Sequence, residues 1–247
     1  MHVVVTGAGT GIGQAIAERL HRDGATLTLL ARDLERLEKV AAPLGATALR
    51  CDIRDAADVD AAFADAAAAN GPVGVLVANA GIGGPNEAGE GDRFEDLVAT
   101  NLVGTYRCLR AAQRHLAERP EPRHFVVIAS ILARIAVPGY TGYSASKAGL
   151  LGLVRSLAAE LGDDDIPVNA ICPGWVDTTM AWDGIDGMAE ADGITREAAY
   201  ARAMEPVPLG RMSQPADIAG VVAWLLSPDA RGVTGQAIDI NGGAFMH

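Results

Sequence analysis

The chain has 247 residues, 49% of them apolar and only 4% aromatic, with a formal net charge of −11. That length suits one large α/β domain or two small ones and can bury its apolar surface without disulfides or metals; with no linker or repeat to split it, one domain is expected over residues 1–247. The charge argues against nucleic acid, because a phosphate-binding face needs clustered Lys and Arg. No apolar run reaches the length of a membrane span.

Short apolar runs alternate with longer amphipathic stretches. Val3–Thr6 reads as a strand and Gly11–Arg22 as the helix after it. Thr26–Ala31 and Leu34–Ala42 repeat the pair, then Ala46–Cys51 and Ala56–Asn70, then Val73–Ala78 and a long helix, Arg93–Ala117. His124–Ala129 precedes the helix Tyr143–Leu161. Pro167–Cys172, Pro215–Leu226 and Ala237–Ile240 complete the series. Such strand–helix alternation predicts a parallel, doubly wound sheet of seven strands, with helices on both faces and right-handed crossovers. The segment 174–208 breaks the rhythm. It sits at the carboxyl end of a strand, where such sheets place ligands, and Trp175, Met180, Trp182 and Met188 are costly to leave in water. We expect a lid there.

The cysteines, Cys51, Cys108 and Cys172, are odd in number and form no C-x-x-C pair, so neither a disulfide framework nor a metal site is expected. They read as buried core thiols and point to a reducing compartment. A strand begins at residue 3, leaving no room for a signal peptide, and a cytoplasmic location is the default expectation.

Thr6-Gly7-Ala8-Gly9-Thr10-Gly11-Ile12-Gly13 lies between the first strand and first helix. Glycines there allow a sharp turn and a close ligand approach, and the helix N-terminus that follows attracts a pyrophosphate. The spacing is G-x-x-x-G-x-G rather than G-x-G-x-x-G. This turn resembles the coenzyme-binding turn of the short-chain dehydrogenase/reductase family. Asn79-Ala80-Gly81, Asn101 with Gly104, Ser130, Tyr143-Ser144-Ala145-Ser146-Lys147 and Pro173-Gly174 with Thr178 resemble the family's further motifs, in order across nearly the whole chain. One departure is Ala78, where many members carry a second Asn.

The resemblance implies a Rossmann-like fold, a nicotinamide dinucleotide and the catalytic tetrad Asn101, Ser130, Tyr143 and Lys147. It implies cofactor contacts at Gly7, Thr10, Gly11, Ile12, Gly13, Asp52, Ile53, Asn79, Ala80, Gly81, Tyr143, Lys147, Pro173, Gly174, Val176 and Thr178. Asp52 reads equally as an N-cap for the helix after it. The chemistry is a hydride transfer between nicotinamide and a ketone or secondary alcohol. A phenol with an ordinary pKa of about 10 is a poor base near neutrality, and an ammonium one helical turn away lowers that pKa. Tyr143 and Lys147 have that spacing, so Tyr143 is expected to give or take the proton. Ser130 would polarise the carbonyl. By the resemblance, Lys147 also binds the ribose, and Asn101 holds a water linking Lys147 to solvent.

The second strand ends Leu29-Leu30-Ala31-Arg32-Asp33. An NAD site places an acid at the strand end. Here Ala31 takes that position and Arg32 follows, which favours NADP(H) because a guanidinium suits a 2′-phosphate. Asp33 is either that acid in a shifted register, leaving NAD(H) open, or the N-cap of the next helix.

Substrate contacts are expected at Ser130, Leu132, Tyr143, Trp175, Met180 and Trp182. The pocket segments are mostly apolar and the lid is acidic, so an uncharged small-molecule carbonyl or alcohol is favoured, although Arg134, Arg196 or Arg202 could reach an anion. Two rival readings stand. One is a 3-oxoacyl-thioester (acyl carrier protein) reductase; the other is a dinucleotide-binding sensor without turnover. The resemblance also implies a homotetramer, or a homodimer, through the two long helices. Gly149, Leu150, Leu153 and Leu157 belong either to that interface or to the core.

Overall fold

Val3, Val4 and Val5 are all fully buried, yet they face opposite ways, Val3 and Val5 into one core and Val4 into another. A strand covered on both faces has this composition. The computed structural model describes residues 1–118 and 122–246 and begins with this strand, β1 (His2–Thr6). There follow α1 (Gly11–Arg22), β2 (Thr26–Ala31), α2 (Leu34–Leu44), β3 (Thr47–Arg50), α3 (Ala56–Asn70) and β4 (Val75–Ala78). The second half contains α4 (Phe94–Val98), a π-helical turn (Ala99–Gly104), α5 (Thr105–Arg114), β5 (His124–Ile128), α6 (Thr141–Glu160), β6 (Val168–Pro173), α7 (Thr179–Asp192), α8 (Arg196–Met204), α9 (Pro215–Leu225) and β7 (Ala237–Ile240).

The seven strands form one parallel sheet in the order β3-β2-β1-β4-β5-β6-β7. The chain winds outward from β1 to β3, then returns to pair β4 on the other side of β1. The carboxyl ends of β1 and β4 therefore flank the switch point, where open α/β sheets bind ligands. Residues of α1, α2 and α9 fill one apolar layer, and residues of α3, α5 and α6 the other. Leu150 and Leu157 belong to the second layer, and Gly149 packs on Leu102.

Helix ends follow the polar residues placed to cap them. Asp33 accepts from the Arg36 N–H at the start of α2, so it caps that helix, and Ala31 is the last residue of β2. The same logic corrects Asp52, because Asp55 caps α3 through the N–H groups of Ala57 and Asp58.

Two long elements differ from the sequence reading. The expected helix 93–117 is three pieces, α4, the π turn and α5. Its middle is opened where the Asn101 amide bonds outward to another loop, and its end gives way where Leu116 bridges to Val73. The segment 174–208 is largely helical. Thr178 and Thr195 cap α7 and α8, and Gly193, in the left-handed conformation, ends α7. Ala181, Ile185, Ala199, Ala203 and Met204 give these two helices a small core of their own.

Candidate active site

Thr6 and Asn79 hold the glycine turn in place. The Thr6 hydroxyl accepts from the N–H groups of Asn79 and Ala80, both at 3.0 Å. The Asn79 amide donates to the carbonyls of Thr6 and Gly7, also at 3.0 Å. The turn is so tight that a Cβ on Gly13 would lie 2.3 Å from Gly7 O and 2.5 Å from Asn79 Nδ2. Thr10, the N-cap of α1, makes no side-chain capping bond, so the first N–H groups of that helix have no partner within it. The result is a cradle of bare backbone donors at a helix N-terminus.

This cradle is the floor of a cleft of about 650 Å³, within the usual range for small-molecule sites. Gly7, Thr10, Gly11, Ile12, Arg32, Asp52, Ile53, Asn79, Ala80, Gly81, Tyr143, Lys147 and Thr178 line it, as does Met180. Arg36, missed in the sequence, lines it beside Arg32; its position four residues beyond Arg32, in the first turn of α2, was the available signal. Thr100 was missed too. The residue lines the cleft, and its buried hydroxyl has no hydrogen-bond partner. The Arg54 guanidinium bonded to Asp52 holds its carboxyl down to about 2, so Asp52 is an anion at neutral pH.

Four expected cofactor contacts lie behind this surface. Gly13 backs onto Gly7, and Gly174, next to Pro173, is pressed against Asn241, where a Cβ would come within 2.9 Å. Val176 is buried and bridges to Ser213. Two of the four are glycines, whose missing Cβ lets the neighbouring backbone pack close.

At the inner end of the cleft stand the acid–base candidates. Tyr143 is in the first turn of α6, and Lys147 Nζ lies 5.7 Å from its ring centroid. Lys147 is buried and donates to the carbonyl of Ile128 at 2.9 Å. Ser130 follows β5; its hydroxyl accepts from Leu132 N–H at 3.1 Å and bonds to Tyr143. Burial pushes the Tyr143 phenol up, opposed by the Ser130 hydrogen bond, and pushes Lys147 down to about 8. Loss of hydration is thus the largest influence on the phenol. Asn101 is fully buried. Its amide accepts from Ile82 N–H at 2.8 Å and donates to Ile82 O and Ser146 Oγ. Its side chain thus secures the loop after Gly81.

The substrate candidates separate. Met180 is 51% exposed and rests against Gly83 at the mouth of the cleft. Trp182 instead stacks on Tyr200 and donates its indole N–H to Asp177. Trp175 packs in the same small core, against Gly184. Both tryptophans meet their need for cover inside the α7–α8 segment rather than in the cleft. Leu132 is half-buried in the turn after Ser130. The three arginines considered for an anionic substrate are all engaged, Arg134 with Asp239, Arg196 with Asp186 and Arg202 with Asp192.

Residues 7–245 match the family model described as enoyl-(acyl carrier protein) reductase, of the short-chain type. The chain is 34% identical over 246 residues to the 3-oxoacyl-[acyl-carrier-protein] reductase MabA of Mycobacterium tuberculosis, covering 99% of this chain and 92% of that one. The crystal structure of a point variant of actinorhodin polyketide ketoreductase with NADPH superposes with a TM-score of 0.93 at 35% identity, over 98% of this chain and 96% of that one. Levodione reductase gives a TM-score of 0.89 at 31% identity, over 98% and 96%. The chain belongs to the short-chain dehydrogenase/reductase family and is an oxidoreductase with that family's Rossmann-like fold.

Proposed function

We propose that this protein reduces an uncharged ketone to a secondary alcohol with NADPH, and catalyses the reverse oxidation with NADP⁺. The observation that carries this is the junction, in one cleft, of a bare glycine cradle with Tyr143 and Lys147, the former beside Ser130. When bound, the nicotinamide supplies the hydride. The N-terminus of α1 would hold the pyrophosphate. Arg32 and Arg36 would take the 2′-phosphate, and Asp52 the adenine. Ser130 orients the carbonyl oxygen toward Tyr143 Oη, which delivers the proton. Lys147, ionised at neutral pH, favours the phenolate left behind and would hold the ribose. The crystal structure with NADPH among the relatives supports the choice of NADP(H).

The whole chain, residues 1–247, acts in this reading as one domain in which 174–208 is the substrate lid, with Met180 as its contact. Paired arginines and an acidic lid favour a substrate without charge. A second reading, reduction of a 3-oxoacyl thioester, is favoured by the likeness to MabA and to a polyketide ketoreductase. Tyr106 on α5 and Trp224 on α9 are large and exposed, which supports a homotetramer, and no helix among the described residues is long and apolar enough to cross a membrane; the site of action in this reading is the cytoplasm. The test is NADPH oxidation with a panel of ketones, keto esters and acetoacetyl-coenzyme A. Tyr143→Phe should lose about 10²–10⁴-fold in kcat. A wild type that turns over none of the panel, or a variant with unchanged turnover, refutes the proposal.

A further inference from the structure

Helix α6 carries Tyr143 and Lys147, yet its own N-cap residue, Tyr140, makes no side-chain capping bond. The cap comes from another part of the chain. Asn86, on the loop after β4, accepts from Gly142 N–H at 2.8 Å. Gly142 is the second residue of α6, the position to which an N-cap oxygen ordinarily bonds, and Tyr143 is the next residue. Asn86 is itself 9% exposed, and its amide is fully used: Nδ2 donates to Asp92 Oδ1 and to Thr141 Oγ1, both at 3.0 Å. Its backbone N–H donates to Gly139 O at 2.8 Å. Asp92 in turn accepts from Phe94 N–H at the start of α4. The approach requires the glycine, because a Cβ on Gly142 would lie 3.0 Å from Phe94 Cα and 3.2 Å from Asn86 Oδ1. The same loop carries Gly83, which packs on Met180 at the mouth of the cleft.

We propose that Asn86 is a positioning residue, which caps the catalytic helix from outside it and locks the loop 82–93 to that helix. The phenol and the substrate-side wall of the cleft then move as one body. The inference rests on Tyr143 being the proton donor. Without the cap, the first turn of α6 frays, and a displacement of about 1 Å at a reacting group costs on the order of a hundredfold.

Three variants test it, with NADPH and ethyl acetoacetate as probes. Asn86→Ala should lower kcat about ten- to hundredfold while the Kd for NADPH, read by nucleotide fluorescence, stays near wild type, because the cradle lies elsewhere in the cleft. Asn86→Asp keeps the acceptor for Gly142 but sets a second carboxylate against Asp92, and should also be impaired. The exchanged pair Asn86→Asp with Asp92→Asn keeps the acceptor for Gly142 N–H and relieves the carboxylate pair, but the one oxygen of Asp92 that served both Asn86 and Phe94 cannot serve both as an amide, so kcat should recover in part relative to Asn86→Asp. Amide exchange over residues 139–147 should rise in the first two variants and return in the third. An unchanged kcat in a folded Asn86→Ala protein, or unchanged exchange over residues 139–147 in it, overturns the proposal. Should the wild type reduce no ketone, the functional reading fails separately, and the exchange data still decide whether Asn86 caps α6.

Discussion

The cofactor preference depends on the end of β2. Ala31 is the last residue of that strand, paired with Arg50, and it lines the cleft with Arg32 and Arg36. A hydrogen bond between charged groups contributes about 1.5–3 kcal/mol. Both guanidiniums are exposed, so solvent and salt reduce the gain to roughly 1–2 kcal/mol for each, or about 5–30-fold in affinity. Arg32→Ala should therefore raise the KM for NADPH about 5–30-fold and leave that for NADH nearly unchanged. Arg36→Ala should do less, since Asp33 lies 3.9 Å from Arg36 Nε and already draws on its charge. Ala31→Asp adds the missing carboxylate at the strand end and should shift the preference toward NADH. The assay is kcat/KM for both cofactors at two ionic strengths, with the NADPH advantage shrinking at the higher one. Equal losses for both cofactors in Arg32→Ala, or a wild type that prefers NADH, would refute the reasoning.

Gly13→Ala introduces a Cβ 2.3 Å from a backbone oxygen, and backbone cannot yield as a side-chain tip can. The expected cost is about 3 kcal/mol or more, read as a melting temperature lowered by about 2–4 °C per kcal/mol together with weakened NADPH binding. Lys147→Met should abolish turnover and stabilise the protein. The folded-state pKa of Lys147, about 8, lies below its ordinary 10.5, so the unfolded chain binds more protons between those values and wild-type stability rises with pH across that window. Below pH 8 the full cost of burying the ammonium, up to about 3 kcal/mol, is present. The variant's advantage in chemical denaturation should be largest at pH 7 and shrink by pH 10; an advantage that does not change with pH would count against a buried ammonium.

What the sequence makes legible is what depends on near neighbours. The strands are short apolar runs bounded by turns, and Asp33 sits directly before the helix it caps. The tetrad is legible by a different route, because Ser130, Tyr143 and Lys147 recur at a spacing the family resemblance identifies. The π turn escapes such a reading, because it depends on Asn101 meeting Ile82, nineteen residues earlier. So does the cap of α6, which Asn86 supplies from fifty-six residues away. The cover of Trp182 is hidden for a related reason: a costly aromatic needs cover, and its sequence position does not tell that Tyr200 provides it. The helices of the lid segment, by contrast, were within reach, since Thr178, Gly193 and Thr195 are ordinary start and stop signals.

The site's electrostatics follow from this division. Spacing alone brings a phenol and an ammonium together and predicts that the ammonium helps the phenol ionise. Spacing says nothing of the water both groups lose. In the folded protein that loss dominates, driving Tyr143 and Lys147 each toward its neutral form. A Tyr143 held as phenol is ready to donate a proton, which suits reduction. Oxidation needs the phenolate, and therefore a further positive charge in the cleft. The oxidised nicotinamide carries one and the reduced form does not. The same residues serve both directions, and a bound oxidised nicotinamide would add the positive charge that makes Tyr143 a better proton acceptor.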